Sequence, residues 1–537
     1  MRLVSKQDLK NILGQIPLTA EAYWYLRQPG KPVTPEFALD RLEQSIPEWY
    51  TQVLNSRAYT SLDRKLTSHD KKHIFIFATL RYWLEHASLL GMALAGMGHS
   101  VTLAYLPYAR WQVPIDAFSL RQQNVYAEGV LTKASPLLKV IPLLSQSRAS
   151  RLPSELLHAV ELVSLRDTQY TLQVEEVSLE SELYKLRLHR NIAAGIAAFS
   201  YLRRHKPDSI ILPNGTILEF GVVYQVARYL GIPTVTYEFG EQRDRIWLAQ
   251  NAEVMHQETT DLWHARQNQA LGQDQLNQVR KLFAARQRAS LWENFARRWQ
   301  GVPSEGGAQV RHSLGLDQRP IVLLATNVIG DSLTLGRQVF SDSMTNWLER
   351  TVQYFAGRND VQLVARIHPG ELITKGPSVA DVVHKALPSI PENIHLVPAD
   401  AKVNTYDIVE IADLGLVYTT TVGMEMAMSG VPVIVVGNTH YRNKGFTMDP
   451  QGWEAYFEML NNILAAPGLY HLSQSQVEQA WKYAYCFFFE YPHPFPWHLV
   501  HFWKDLETWP LSRMLDDEGI SRYQQSFNYL VGEPIRW

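Results

Sequence analysis

The strongest constraint on this chain is an alternation of short apolar runs with helix-compatible stretches. Between residues 320 and 438 five such runs follow one another: PIVLLATN, VQLVARIHP, NIHLVPA, LGLVYTT and VPVIVVGN. Strands alternating with helices predict a doubly wound parallel sheet. The same grammar occurs earlier. HIFIFATL reads as a buried strand. In RYWLEHASLLGMALAGMG, Trp83, Ala87, Leu90, Leu94 and Met97 recur at spacings of three and four, the mark of an amphipathic helix. VTLAYL follows as a second strand. PDSIILPN, GTILEFGVVYQVARYLG and IPTVTYEFG then repeat the strand-helix-strand order. The expected fold class is therefore α/β, with two doubly wound Rossmann-like domains facing a cleft and helical extensions at both ends.

The expected boundaries follow from composition shifts. Residues 1–70 read as a helical N-terminal extension and 71–305 as the first Rossmann-like domain. Residues 110–205 and 241–300 of that domain read as helical insertions. The stretch GVPSEGGAQ is small, polar and Gly-rich, so it is the best linker. The second domain spans 306–480, and 481–537 forms an aromatic helical tail.

At 537 residues the chain is too long for one ordinary core. A formal net charge of −2 lacks the basic excess of a polyanion binder, so no nucleic acid partner is expected. The single cysteine, Cys486, excludes an internal disulfide and fits a reducing compartment. The N-terminus has no apolar run of signal-peptide type, and no stretch approaches the roughly 20 apolar residues of a membrane span. The expected location is the cytoplasm. The 280–298 segment carries Arg280, Lys281, Arg286, Arg288, Arg297 and Arg298 among apolar residues. It reads either as a helix with solvated arginines or as a peripheral contact with the inner face of the plasma membrane.

Three loops carry the chemical signal. In LGLVYTTTVGMEMAMSG a strand runs into Thr420 and Thr421, and Gly423 opens a helix. Free N–H groups and the dipole end of that helix would form an anion site, with threonine hydroxyls adding donors. Glu425 in the first turn either accepts from ribose or sugar hydroxyls or simply stabilises the helix as a capping residue. In ARIHPGE, Arg366, His368 and Pro369 stand at a strand end. There His368 can donate to a phosphate or protonate a leaving group, or else bond a neighbouring loop. GNTHYRNKGF offers Asn438, His440, Arg442 and Lys444 as a flexible polar loop at the same edge, suited to a phosphate or to solvent.

The stretch from His368–Pro369 through NTYDIVEIADLGLVYTTTVGMEMAMSGVPVIVVGNTHYRNKGFTMDP resembles the bacterial capsule-polysaccharide biosynthesis family, which includes the Kdo transferases of capsule export systems. The ending WKYAYCFFFEYPHPFPW is similar to the aromatic tail of that family. The likeness covers about 130 residues of the C-terminal domain. It implies a GT-B glycosyltransferase in which a nucleotide-activated sugar, CMP-linked by preference, is held by the C-terminal domain without a metal or other cofactor. It further implies that His368, Thr420 and Thr421 contact the donor phosphate and that Glu425 contacts the sugar or ribose. The acceptor would be a glycan or lipid-linked glycan.

The acceptor base has to come from the first domain. Glu238 and Asn214 follow expected strands there, and Thr79 with the Arg81–Glu85–His86 group follows another. Two rival functions share the double Rossmann plan: a sugar-nucleotide epimerase of the UDP-GlcNAc 2-epimerase kind, and a non-catalytic subunit of the polysaccharide machinery.

Overall fold

The computed structural model describes residues 6–27, 29–60, 71–240, 242–287 and 302–537. Its strands, in chain order, begin with β1 His73–Thr79, β2 Ser100–Leu106, β3 Leu138–Pro142, β4 Ser209–Pro213, β5 Thr234–Glu238 and β6 Arg245–Gln250. They continue with β7 Ile321–Ala325, β8 Gln362–Arg366, β9 Ile394–Val397, β10 Leu414–Val417, β11 Val433–Val435 and β12 His493–Pro494. The fold is α/β, as the alternation predicts, and the chain forms two compact units. One holds Met1–Thr168, Ser178–Met255 and His493–Arg536; the other holds Gln169–Val177, His256–Pro492 and Trp537.

In the first unit the sheet order is β12-β6-β5-β4-β1-β2-β3. Strands β3, β2, β1, β4 and β5 are parallel, while β6 and β12 are added antiparallel. The order reverses between β1 and β4, so the crevice outside their C-terminal ends is the place where open α/β sheets take ligands. The second unit's sheet, β11-β10-β7-β8-β9, is parallel throughout and reverses between β7 and β10.

Several expectations are corrected. The compact units divide at Met255/His256 and at Pro492/His493, where the sequence reading sets its boundaries at 305/306 and 480/481. The first shift follows from packing: the helix Gln273–Gln287 lies on the helix Gln474–Tyr485 of the second unit. The second follows from pairing, since His493 and Pro494 add β12 to β6. Residues 110–205 include β3, and 241–300 include β6, so neither insertion is wholly helical. The helix Arg81–Gly96 is not amphipathic, because every residue from Trp83 to Gly96 is buried. It packs on β1 and β2 and carries the helix Asp40–Asn55 against it.

One charged cluster lies wholly inside the first unit. Arg187, on the helix Glu182–His205, donates from Nε to Asp167 Oδ2 (2.5 Å) and from Nη2 to Glu219 Oε1 (2.9 Å). All three side chains are essentially inaccessible. Removing one member of such a cluster strands the others without water or partner. Arg187→Met is therefore expected to cost about 3–5 kcal/mol of unit stability, read as an earlier urea transition of the full chain.

Candidate functional site

The parallel register brings the C-terminal ends of β7, β8 and β10 to one edge of the second unit, and the loops beyond them are laced together. Thr326 Oγ1, after β7, accepts from the His368 N–H after β8 (3.0 Å). Asn327 Oδ1 accepts from the Thr419 N–H after β10 (3.1 Å). A pocket on this edge is lined by Arg366, His368 and Pro369, by Thr420 and Thr421, by Asn404 and Tyr406, and by Arg286. The first five are residues that the sequence reading singles out.

His368 caps the short turn Pro369–Ile373, and its Nδ1 accepts from the Gly370 N–H (2.9 Å). An acceptor Nδ1 places the proton of the neutral ring on Nε2, which is then the donor nitrogen. Arg366 is only 4% exposed and is held by uncharged oxygens: Pro398 O from Nη1, Val403 O from Nη2 (3.4 Å) and Thr405 Oγ1 from Nε (3.5 Å). No carboxylate lies within ion-pair distance of it among the described residues. Burial pulls its pKa down to about 10, slightly offset by Asp400, so the guanidinium stays charged at neutral pH. A buried cation without a counterion is an anion site in waiting.

Arg286 is the residue that sequence reasoning missed. It sits near the end of the helix Gln273–Gln287, 6% exposed, with Nη2 2.8 Å from Glu425 Oε1. The same nitrogen donates to Thr421 Oγ1 (3.3 Å), and Nε donates to Tyr406 Oη (3.4 Å). Burial is the largest influence and works against its charge, yet Glu425 and Tyr406 together outweigh it and raise the pKa. A signal did exist: Arg286 stands in helical register with the buried Val279, Leu282 and Phe283. Residues 288–301 lie outside the described residues, and with them most of the basic segment read as a membrane contact. The described part does not read as a row of solvated arginines, because Arg286 is buried. Among the described residues no helix is long and apolar enough to cross a membrane.

The Glu425 side chain is buried as counterion to Arg286, and it neither lines the pocket nor caps the helix. The helix N-terminus also differs from the expected donor set. The helix Val422–Met428 has only seven residues, and the N–H groups of Gly423 and Met424 already bond Thr420 O and Thr421 O (3.2 and 3.1 Å). The positive charge left unpaired at the pocket is that of Arg366, since Arg286 is paired with Glu425. Gly423 is required by packing, since a Cβ there would meet the Tyr441 hydroxyl and Val417.

The 437–446 loop is packed rather than flexible. The His440 ring stacks on Phe487 at 3.6 Å and 7°, and its Nδ1 lies 3.1 Å from Tyr483 Oη. Burial holds its pKa far below the usual histidine range. Lys444 is buried and donates to Thr260 Oγ1 (2.9 Å), and Arg442 donates to Val435 O and Pro450 O. Asn438 stays exposed, its N–H bonded to Arg337 O (2.7 Å). None of the four lines the pocket.

In the first unit, Asn214 and Glu238 end β4 and β5 and meet. Asn214, at φ +57°, donates from Nδ2 to Glu238 Oε2 (3.3 Å), and the Phe239 N–H donates to Oε1 (3.1 Å). Burial nevertheless pushes the Glu238 carboxyl up to about 7. Thr79 is buried and donates to Leu106 O (3.2 Å). His86 lies in the aromatic core between Tyr237 and Phe239, its pKa pushed down to about 3 by burial. It is therefore no base near neutral pH. Glu85 is buried as well, and burial raises its carboxyl pKa.

No family model and no curated protein matches the chain. Among solved structures it is distantly similar to the KpsC beta Kdo 2,4 transferase of Thermosulfurimonas dismutans. That likeness is 14% identity over 61% of this chain and 88% of that one, with a TM-score of 0.34. A putative UDP-N-acetylglucosamine 2-epimerase from Listeria monocytogenes gives 11% identity over 76% and 90%, with a TM-score of 0.25. The calicheamicin glycosyltransferase CalG4 gives 13% over 87% and 100%, with a TM-score of 0.24.

Two outcomes test these geometries. Arg286→Met and Glu425→Leu each leave a buried charge alone, so in a double-mutant cycle the double variant is expected to lose less stability than the sum of the singles. Additive losses would mean that the pair does not interact. For Glu238, the folded pKa of about 7 lies above the ordinary 4.5, so the native state binds the extra proton between those values. Stability from this group is present at low pH and lost as pH rises through about 7. Glu238→Gln should therefore melt higher than the parent at pH 8, with the difference vanishing near pH 4.5.

Proposed function

We propose that this chain is a glycosyltransferase that moves a sugar from a nucleotide-activated donor to a growing surface glycan, with CMP-Kdo as the first donor to test. One observation carries the reading: Arg366, a buried cation with no carboxylate within ion-pair distance among the described residues, shares a pocket with His368 and the Thr420–Thr421 turn. Three donors of different reach then converge on one small anion. The C-terminal resemblance to capsule-polysaccharide enzymes supports the same reading.

In the proposed reaction the acceptor hydroxyl oxygen bonds to the anomeric carbon as its O–H proton is taken up. The bond from that carbon to the donor phosphate breaks, and its electron pair stays on the phosphate oxygen. Arg366, Arg286 and the Nε2–H of His368 would meet the charge that develops there. Glu238 fits the role of base, because a carboxyl titrating near 7 can accept a proton at neutral pH and Asn214 fixes its orientation. With the phosphate charge met by guanidinium groups, turnover is expected to survive a chelator of divalent cations.

Thermal-shift titration with CMP, UDP and GDP is the direct test, since a ligand bound only by the native state raises the melting temperature. CMP is expected to stabilise the parent, and Arg366→Met and His368→Ala should lose the shift. Glu238→Gln should keep the shift while losing transfer and release of nucleotide. Stabilisation by UDP with interconversion of the sugar in the absence of any acceptor would replace transfer by epimerisation. No shift with any nucleotide would overturn both.

A further inference from the structure

The first unit holds a second pocket, of about 230 Å³, lined by the loop after β2 and by residues from the N-terminal segment. Tyr108, Ala109, Arg110, Val113, Pro114 and Ile115 form most of its wall, and Thr34 and Glu36 close one side. The loop is built to hold its shape. Arg190 donates from Nη1 to Arg110 O (3.0 Å) and Trp111 O (3.3 Å), and from Nη2 to Val113 O (2.6 Å). Arg187 adds a bond to Trp111 O (3.2 Å). All these bonds go to main-chain carbonyls, so they hold the loop without engaging its side chains.

One buried polar atom at this pocket is unaccounted for: the Thr34 hydroxyl has no hydrogen-bond partner among the described residues. Tyr108 lies beneath the Arg190 guanidinium, 4.3 Å above its ring, and lines the same wall. A buried hydroxyl without a partner costs stability unless a ligand supplies one. At the rim Arg110 pairs with Glu36, both well exposed, which offers further donors and acceptors. Apolar walls with a few fixed hydroxyl partners, in a space of this size, match one pyranose ring: its C–H face against Val113, Pro114 and Ile115, its hydroxyls toward Tyr108, Thr34 and the ion pair.

Position along the edge sets which ring this is. β2 and β5 are three strand spacings apart in the order β5-β4-β1-β2, roughly 14 Å at the usual spacing. That is farther than a single sugar ring reaches from Glu238. We propose that the loop after β2 is an acceptor subsite that holds a sugar ring set back along the glycan from the reacting hydroxyl, so that the acceptor is an oligosaccharide rather than a monosaccharide. This rests on the glycosyl-transfer reading.

The test uses the full chain on an array of bacterial surface oligosaccharides, neutral and acidic, with matched lengths from one to six residues. The parent is expected to retain glycans of three or more residues at least tenfold better than the matched monosaccharides. Val113→Trp, which fills the pocket, should abolish that preference, and Tyr108→Phe should weaken retention about fivefold or more. The nucleotide-induced thermal shift should be unchanged in both. Equal retention by parent and both variants overturns the subsite, as does failure of the parent to retain any of the glycans. A nucleotide shift that persists in either case leaves the transferase reading standing, whereas loss of the shift in the parent removes that reading instead.

Discussion

Burying a guanidinium takes five N–H donors out of water, and each has to find an oxygen. This protein meets that demand repeatedly with main-chain carbonyls, and in doing so it fixes the loops that matter. Arg366 holds Pro398 O and Val403 O, while Arg190 holds Arg110 O, Trp111 O and Val113 O. Where a carboxylate is added, as with Asp167 and Glu219 on Arg187 or Glu425 on Arg286, the charge is balanced and the group serves mainly to brace. Where only uncharged oxygens answer, as on Arg366, each nitrogen has a partner but the charge has no counterion in contact among the described residues. Arg366 is the case that matters, because its uncompensated charge lies at a pocket.

Parallel strands make this economical. Every strand of the core of each sheet ends on the same edge, so a one-residue extension of any strand adds a side chain to a common surface. Glu238 and Asn214 meet for that reason, although 24 residues separate them. His368 and Thr326 meet likewise across β8 and β7, 42 residues apart. The antiparallel additions β6 and β12 lie on the far side of β5 and leave this edge arrangement intact.

How much of this the sequence disclosed follows from the range of each signal. All five apolar runs of the C-terminal half are strands, and HIFIFATL, VTLAYL, SIILP and TVTYE are strands in the other half, because burial on both faces leaves a continuous apolar run. β3 and β6 escaped. LKVIP and RIWLAQ are short, contain charged residues and lie toward the sheet edges, where one side is less deeply covered. Arg366, His368, Pro369, Thr420 and Thr421 were legible because they end strands. Glu425 was legible in its helix, but its ion-pair partner was not. Its partner, Arg286, stands 139 residues away on a helix read only for its net charge. The loop at His440 was misread for a related reason. Polar letters suggested solvent, whereas Phe487 and Tyr483, supplied by the following helical segment, covered the ring.

The exchange of a helix dipole for arginine side chains also has a consequence for pH. A short helix whose first N–H groups are already bonded offers a weak, fixed field, worth well under the energy of a full buried charge. A guanidinium whose pKa has fallen only to about 10 keeps its full charge throughout the neutral range. Had Glu425 faced the pocket, its carboxylate would have opposed a phosphate and cancelled much of that field. Turned beneath the loop, it orients Arg286 instead. Phosphate binding by Arg366, as proposed, would therefore be insensitive to pH near neutrality, while Glu238, held near 7 by burial, changes state in that same range. A transferase assembled this way would hold its donor over a wide pH range and gate only the acceptor's proton.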